Sequence, residues 1–315
     1  MLQLVLIPAA IVVVCIGLAL LFGWLAGARD TLDNHLLKLR QSGGAGHLPF
    51  GLQDPRYKDR GLAAHTIATM IRSGQVSDPA EKQRLSATLT DILQHNVADH
   101  EVLLQAYLLI AVGCLGQQDA LPVLFQGLQS PHAQVRHGAI LALLSWPDVA
   151  AARPEAIPAL QQRLADTDPA VRATAAAALG KLASHGDAQV IAALRHAMEP
   201  VDLAMRESRW NAAVALARLG DADGSRFVAT VLLDRAALAQ LPAAETGPDT
   251  QKTMPPATVD RVMLATLKAA DTMTDPDIWD KITQIADHDP SLPVRQEAYR
   301  LLQAPKSAST GPPAE

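Results

Sequence analysis

The chain has 315 residues, 49% of them hydrophobic but only 3% aromatic, with 27 basic and 32 acidic side chains for a net charge of −5. Its apolar mass is therefore Leu, Ala, Val and Ile, which packs helices more readily than twisted sheets, and the acidic balance disfavours a nucleic-acid groove, which needs cations against phosphate. Two cysteines, Cys15 and Cys114, cannot form a disulfide framework, and no Cys-x-x-Cys pair is present.

Residues 4–28 run for twenty-five positions without a charged or polar side chain. At ~1.5 Å per residue such a helix reaches ~37 Å, enough to cross a ~30 Å hydrocarbon core with some tilt. Pro8 falls in the first turns, where a missing amide donor costs little, and Trp24 falls near the far end, where an indole suits the interface. Ala26-Gly27-Ala28 has the small-x-small form of a leader cleavage site. No basic residue precedes the run, however, and the run exceeds the ~7–15 residues of a leader core, so an uncleaved anchor is expected. Basic residues follow the segment (Arg29, Lys38, Arg40, Arg56, Lys58, Arg60) and none precede it. That asymmetry predicts a single-pass membrane protein with its amino terminus outside and the large domain cytoplasmic.

Residues 30–40 read as a short amphipathic helix or as the cytoplasmic continuation of the anchor. The stretch 41–60, with Ser42-Gly43-Gly44-Ala45-Gly46, Pro49 and Asp54-Pro55, reads as a linker, so 29–60 is assigned as juxtamembrane helix and linker.

Beyond it the sequence repeats. Segments opening at Val102, Val135-Arg136, Val171-Arg172, Ser208-Arg209, Val259 and Val294-Arg295 are spaced by 33, 36, 37, 51 and 35 residues. Each places small or apolar residues at i, i+4, i+7 and i+8, which is one helix face. Second amphipathic runs precede them at 85–97, 121–128, 157–164, 190–198, 227–233 and 278–286. Neither helix of a pair buries its apolar face alone, and stacking such pairs gives a continuous two-layer core.

Asp166-Thr167-Asp168-Pro169-Ala170-Val171-Arg172, continued by Ala173 to Gly180, resembles the D-x-x-V-R-x-x-A-A-x-A-L-G signature of HEAT repeats, of the kind also found in bilin lyases. The segments 130–144, 208–220 and 289–302 are similar but degenerate. The resemblance implies an all-α fold: an α-solenoid of HEAT-like helix pairs over 61–302, preceded here by a single transmembrane helix at 1–28. It implies scaffolding more than chemistry. Within the motif, Asp before Pro caps a helix whose first residue has φ already set. Arg172 and its equivalents Arg136, Arg209 and Arg295 are expected to form a structural ladder, pairing with carboxylates of adjacent turns; the alternative is an arginine row that binds an anion or acidic peptide.

The 51-residue spacing exceeds a repeat by about fifteen residues. The excess falls in 234–257, where Leu238 and Leu241 sit on a helix-like piece before a Pro/Gly/Thr-rich stretch; it reads as a tolerated disordered loop or as a short helix that docks on a partner or covers the groove. Residues 303–315 lack the side chains to bury themselves and are expected to be disordered.

No residue pattern points to catalysis, a cofactor or a metal. His95 and His100, and His132 and His137, flank turns without the His-x-x-x-His spacing of a shared helix face. Asn211 beside Trp210 is similar to the asparagines with which armadillo grooves hold extended peptides, although the pair occurs once. The sequence thus predicts a non-enzymatic, membrane-anchored scaffold or accessory subunit. It would touch the bilayer through residues 4–28 and a protein partner, as part of a membrane complex, through its solenoid surface. Trp210, Asn211, Leu238 and Leu241 are the candidate contacts, with no nucleic acid and no small-molecule substrate. The alternative is a HEAT-type lyase-like enzyme acting on a protein-bound chromophore.

Overall fold

The computed structural model describes residues 31–40, 47–48, 52–53, 55–199, 206–242 and 253–304. The predicted span 4–28, residues 243–252 of the insertion and the tail 305–315 lie outside the described residues. Among those described, no helix is long and apolar enough to cross a membrane. The chain divides into two compact units, with the boundary between Gly127 and Leu128.

The first unit contains α1 (Leu32–Arg40), α2 (Pro55–Arg72), α3 (Pro79–His95), α4 (Val102–Leu115), a 3-10 turn (Gln118–Ala120) and α5 (Leu121–Leu128), which runs up to the boundary. Two short strands, His47–Leu48 and Leu52–Gln53, pair antiparallel with Leu48 opposite Leu52. Helix α2 starts at Pro55, inside the stretch read as linker. Proline is well suited to a first helical position, and its presence there marks the start. At α3, Asp78 accepts the Glu81 amide at 3.0 Å ahead of Pro79, a cap that satisfies one orphan donor. Helix α4 is apolar almost all round (VLLQAYLLIAVGCL) because it packs against both α2 and α3. It ends at Gly116, whose φ of +66° needs no Cβ.

Among the described residues of this unit, Arg60 and Glu101 form a buried charged pair. Arg60, on α2, is 1% exposed. Its Nε and Nη2 donate to the Leu39 carbonyl at 3.2 and 3.1 Å, and Nη2 also donates to Asn96 O at 2.7 Å. Its Nη1 meets Glu101 Oε1 at 2.5 Å, while Glu101 Oε2 accepts the Ala98 amide at 2.9 Å. The guanidinium thereby closes the end of α1, the end of α3 and the start of α4 around one buried cation.

The second unit continues with α6 (Ala133–Leu144), α7 (Val149–Arg163), α8 (Pro169–Leu182), α9 (Ala188–Met198) and α10 (Arg206–Arg218). Then come α11 (Ala222–Phe227), a π turn (Val228–Leu232), α12 (Arg235–Gln240), α13 (Pro256–Ala269), a 3-10 turn (Ala270–Thr272), α14 (Pro276–His288) and α15 (Leu292–Gln303). Helices α6, α8 and α10 pack on one another in one layer; α7 backs α8, and α9 backs α10. Further on, α14 backs α15 and α13 packs on α15. This is the paired, all-α arrangement that the repeat predicts.

Helix α7 carries Pro154 and Pro158 in its interior. Its 15 residues extend eight positions ahead of the sequence reading, because packing outweighs the two amide donors that proline removes.

The register is visible in burial. The four positions of the predicted face are Val135, Ala139, Ala142 and Leu143 in α6, and Val171, Ala175, Ala178 and Leu179 in α8; all eight are buried. Ser208, Ala212, Ala215 and Leu216 repeat this in α10, and Val259, Met263, Thr266 and Leu267 in α13. The small residues let backbones approach. A Cβ added at Gly180 would lie 2.6 Å from Ala215 Cβ, so α8 and α10 touch there main chain to side chain.

Candidate protein-binding groove

The motif arginines are spent on the fold. Arg136 grips Asp166 with two bonds, Nε to Oδ2 at 2.8 Å and Nη2 to Oδ1 at 2.6 Å, while Nη1 donates to Ser130 O and Pro131 O at 2.9 and 3.0 Å. Arg172 makes the same backward reach, Nη1 to Asp166 O at 2.8 Å and Thr167 O at 3.1 Å. Arg295 donates to Asp289 O in the same register. Each arginine thus binds the carbonyl six residues before it, closing the turn that leads into its own helix. Arg209 departs from this pattern: its guanidinium lies 4.9 Å from the Phe227 ring centroid, a cation–π contact to α11.

Two further clamps come from outside the motif. Arg195, on α9, binds Asp221 Oδ2 through Nε and Nη2 at 3.0 and 2.5 Å. Arg235, on α12, binds Asp289 at 2.9 and 2.8 Å and Asp260 at 2.7 Å. Sequence reasoning missed both arginines, which occupy no repeating position. The carboxylates did carry a signal. Asp166, Asp221 and Asp289 each accept the amide two residues on, from Asp168, Asp223 and Ser291, so an Asp-x-[Asp/Ser] turn marks each clamp.

Burial pushes the Asp166 carboxyl up, yet the Arg136 hydrogen bond, the Asp168 amide and the charges of Arg136 and Arg163 outweigh it and hold the group below its ordinary value. Asp234 is lowered by Lys281 and the Ala237 amide, and Glu297 by Arg300. A carboxyl depressed in the folded state contributes stability above its unfolded pKa of about 4 and loses it as pH falls through the folded value. Thermal melts are therefore expected to fall steadily from pH 5 to pH 2.5, and Asp166→Asn to flatten the slope. An unchanged slope in that variant would remove Asp166 from the account.

With the arginines engaged, the open surface lies elsewhere. Helix α8 packs directly on α10, but α10 and α13 stand apart. Between them runs a groove of about 340 Å³. One wall is the α10 face Glu207, Trp210, Asn211, Val214, Ala215 and Arg218; the other is Arg261, Val262, Ala265, Thr266 and Ala269 of α13. Leu232 of the π turn and Ala177 of α8 complete it. The groove falls where the repeat spacing lengthens to 51 residues.

Trp210 and Asn211, both half-buried, line this groove together. The Arg206 guanidinium sits over the Trp210 ring, 5.1 Å from its centroid, and donates to Pro242 O at 2.5 Å, so one face of the indole is covered by the chain's own cation. Arg218 Nε donates to Thr272 Oγ1 at 2.7 Å, with Asp271 3.7 Å from Nη2. Charges of both signs therefore rim an apolar floor.

Leu238 and Leu241 are not part of it. Leu238, on α12, is fully buried in the core with Met254, Val259, Met263 and Leu267, and Leu241 packs against the same cluster. The Met254 amide donates to Leu241 O at 2.9 Å, so the insertion leaves and re-enters the fold at one place. Leu238 holds this helix in the chain's own core, while Asp234 caps it through the Ala237 amide at 3.0 Å and is itself bound by Lys281 at 2.8 Å. Among the described residues, no group of three His, Cys, Asp or Glu side chains is placed to hold a metal ion.

Residues 122–208, from α5 into α10, match the family model of HEAT repeats. Among solved structures, an engineered protein determined as a Northeast Structural Genomics Consortium target is similar over 86% of this chain and 97% of its own, at 16% identity and a TM-score of 0.41. No curated protein matches the chain.

Proposed function

We propose that the chain is a membrane-anchored, non-enzymatic scaffold or accessory subunit whose repeat domain holds another protein, as part of a membrane complex, in the α10–α13 groove. The observation that carries the reading is the groove: an apolar floor, charges of both signs at its rim, and Trp210 and Asn211 on one wall. Nucleic acid would ask for a basic stripe; a protein segment asks for this mixture. HEAT repeats, which residues 122–208 match, generally scaffold protein–protein contacts, and that agrees with the same reading.

The anchor is residues 4–28, with the amino terminus outside and the repeats cytoplasmic. Its support is the length and apolarity of the run and the basic residues after it. Arg60 adds nothing to that asymmetry, since its charge is internal and paired with Glu101. Full-length protein is expected to resist carbonate extraction; release into the carbonate supernatant would refute the anchor.

The groove is tested by affinity purification of the full chain from solubilised membranes. Trp210→Ala removes a large half-buried contact surface, and such interface aromatics are worth ~2 kcal/mol or more, a loss of about thirtyfold in affinity. Recovery of the partner seen with wild type should fall accordingly for Trp210→Ala and Arg261→Glu, with melting temperatures close to wild type. Equal recovery from both variants would place the partner elsewhere on the molecule.

A further inference from the structure

Both walls of the α10–α13 groove are helix faces of the kind that pack directly on one another between α6, α8 and α10. From Glu207 to Arg218 the α10 residues that line it fall at i, i+3, i+4, i+7, i+8 and i+11, and the α13 residues from Arg261 to Ala269 keep the same helical spacing. Ala215 belongs to both situations. It meets Gly180 of α8 so closely that a Cβ there would lie 2.6 Å away, and it also lines the groove. On the facing wall Ala265 and Ala269 are small, which leaves room for larger side chains of a guest.

The walls have few hydrogen bonds to give. Thr266 is 4% exposed and its Oγ1 donates to Val262 O at 2.9 Å. Arg218 is engaged with Thr272 and Asp271. Among the lining residues between the rims, that leaves Asn211 to pair with a guest. The α10 wall is about 16 Å long at ~1.5 Å per residue. An extended segment would cover it with about five residues, and so bring about ten backbone N–H and C=O groups. Asn211 can serve two or three of them, and each one pressed unpaired against the apolar wall costs ~1–3 kcal/mol. A helix satisfies the same groups within itself and offers the walls only side chains.

The rims agree with a helical guest. Glu207 on the α10 side and Arg261 on the α13 side are both exposed and opposite in sign. A helix lying between them has two flanks, one beside each rim, so its complement is basic along the first and acidic along the second. Exposed charges of this kind set orientation and choice of partner more than affinity.

We infer that the partner segment held in this groove is an amphipathic helix of about three turns. Its apolar residues recur three and four apart, with basic residues on the flank beside Glu207 and acidic residues on the flank beside Arg261. The inference rests on the groove being the binding site, and adds the class of segment that it takes.

The probe is a phage-displayed library of random peptides of about 16 residues, selected on the full chain in mild detergent. Ala265→Trp and Trp210→Ala serve as counter-targets. Ala265 is exposed on the α13 wall, so an indole there fills the groove without entering the core, and an unchanged melt checks this. Peptides that bind wild type at least about tenfold better than both variants should carry apolar residues three and four apart. A proline placed in the middle of such a peptide should weaken its binding about a hundredfold, since proline costs a helix interior ~3 kcal/mol. Selection on Arg261→Glu should replace the acidic flank by a basic one. Groove-dependent peptides with apolar residues at every second position, or binding indifferent to proline, would overturn the helix and leave the groove standing. Peptides bound equally by wild type and both counter-targets, or none recovered at all, would overturn the groove and the helix together.

Discussion

Val171→Asp is expected to abolish the cooperative thermal transition of the second unit, or to lower it by tens of degrees. Val171 is fully buried at the head of the α8 face, one residue before Arg172 and three after the capping Asp168. A carboxylate there has no water, and the adjoining cation is committed, since Arg172 Nη1 already serves two carbonyls. Burying a carboxyl without a partner costs several kcal/mol, whether it stays charged or takes up a proton. The positive end of α8 returns only about 0.3–1 kcal/mol. Against a total stability of about 5–15 kcal/mol the loss is decisive. His137→Ala, at a half-buried position of α6 outside the recurring face, is expected to change stability by less than about 1 kcal/mol. Circular dichroism melts of the two variants check the pair. Wild-type melting of Val171→Asp would overturn the repeat register itself.

That register was legible because it is periodic. A small residue at i+4 and i+7 recurs wherever two helices touch, so Ala175 and Ala212 announce α8 and α10 without reference to anything distant. What the sequence hides is contact between residues that belong to no period. Arg195, on α9, and Arg235, on α12, reach carboxylates 26 and 54 residues away; only the fold makes them neighbours. Leu238 shows the same blindness from the other side. An apolar residue in an interrupted repeat reads as part of a tolerated loop or as a docking contact, whereas its burial is decided by Met254, Met263 and Leu267, which come later in the chain. The groove was half legible. The break in spacing could be read, and so could Trp210 with Asn211, but that both facts describe one place follows from α10 and α13 standing apart.

The sequence also counted Arg60 among the basic residues flanking a membrane, whereas the fold uses it as an internal tie. Arg60→Met is expected to cost about 3–5 kcal/mol, the price of leaving a buried charge without its partner. Glu101 has a side chain only 3% exposed, and would keep the Ala98 amide as its one remaining donor. The carbonyls of Leu39 and Asn96 would lose their side-chain donor as well. Because Leu39 belongs to α1 while Arg60 belongs to α2, the loss should fall first on the docking of α1. Amide exchange across residues 32–40 should then accelerate before the global melt does. Glu101→Gln removes the charge and preserves a polar partner, and in combination with Arg60→Met it should cost less than the sum of the two single changes. The difference measures the coupling of the pair. Strict additivity would show that Arg60 acts through the two carbonyls alone. Protection of α1 unchanged in Arg60→Met would show that Leu39, itself fully buried, holds the helix in place by packing.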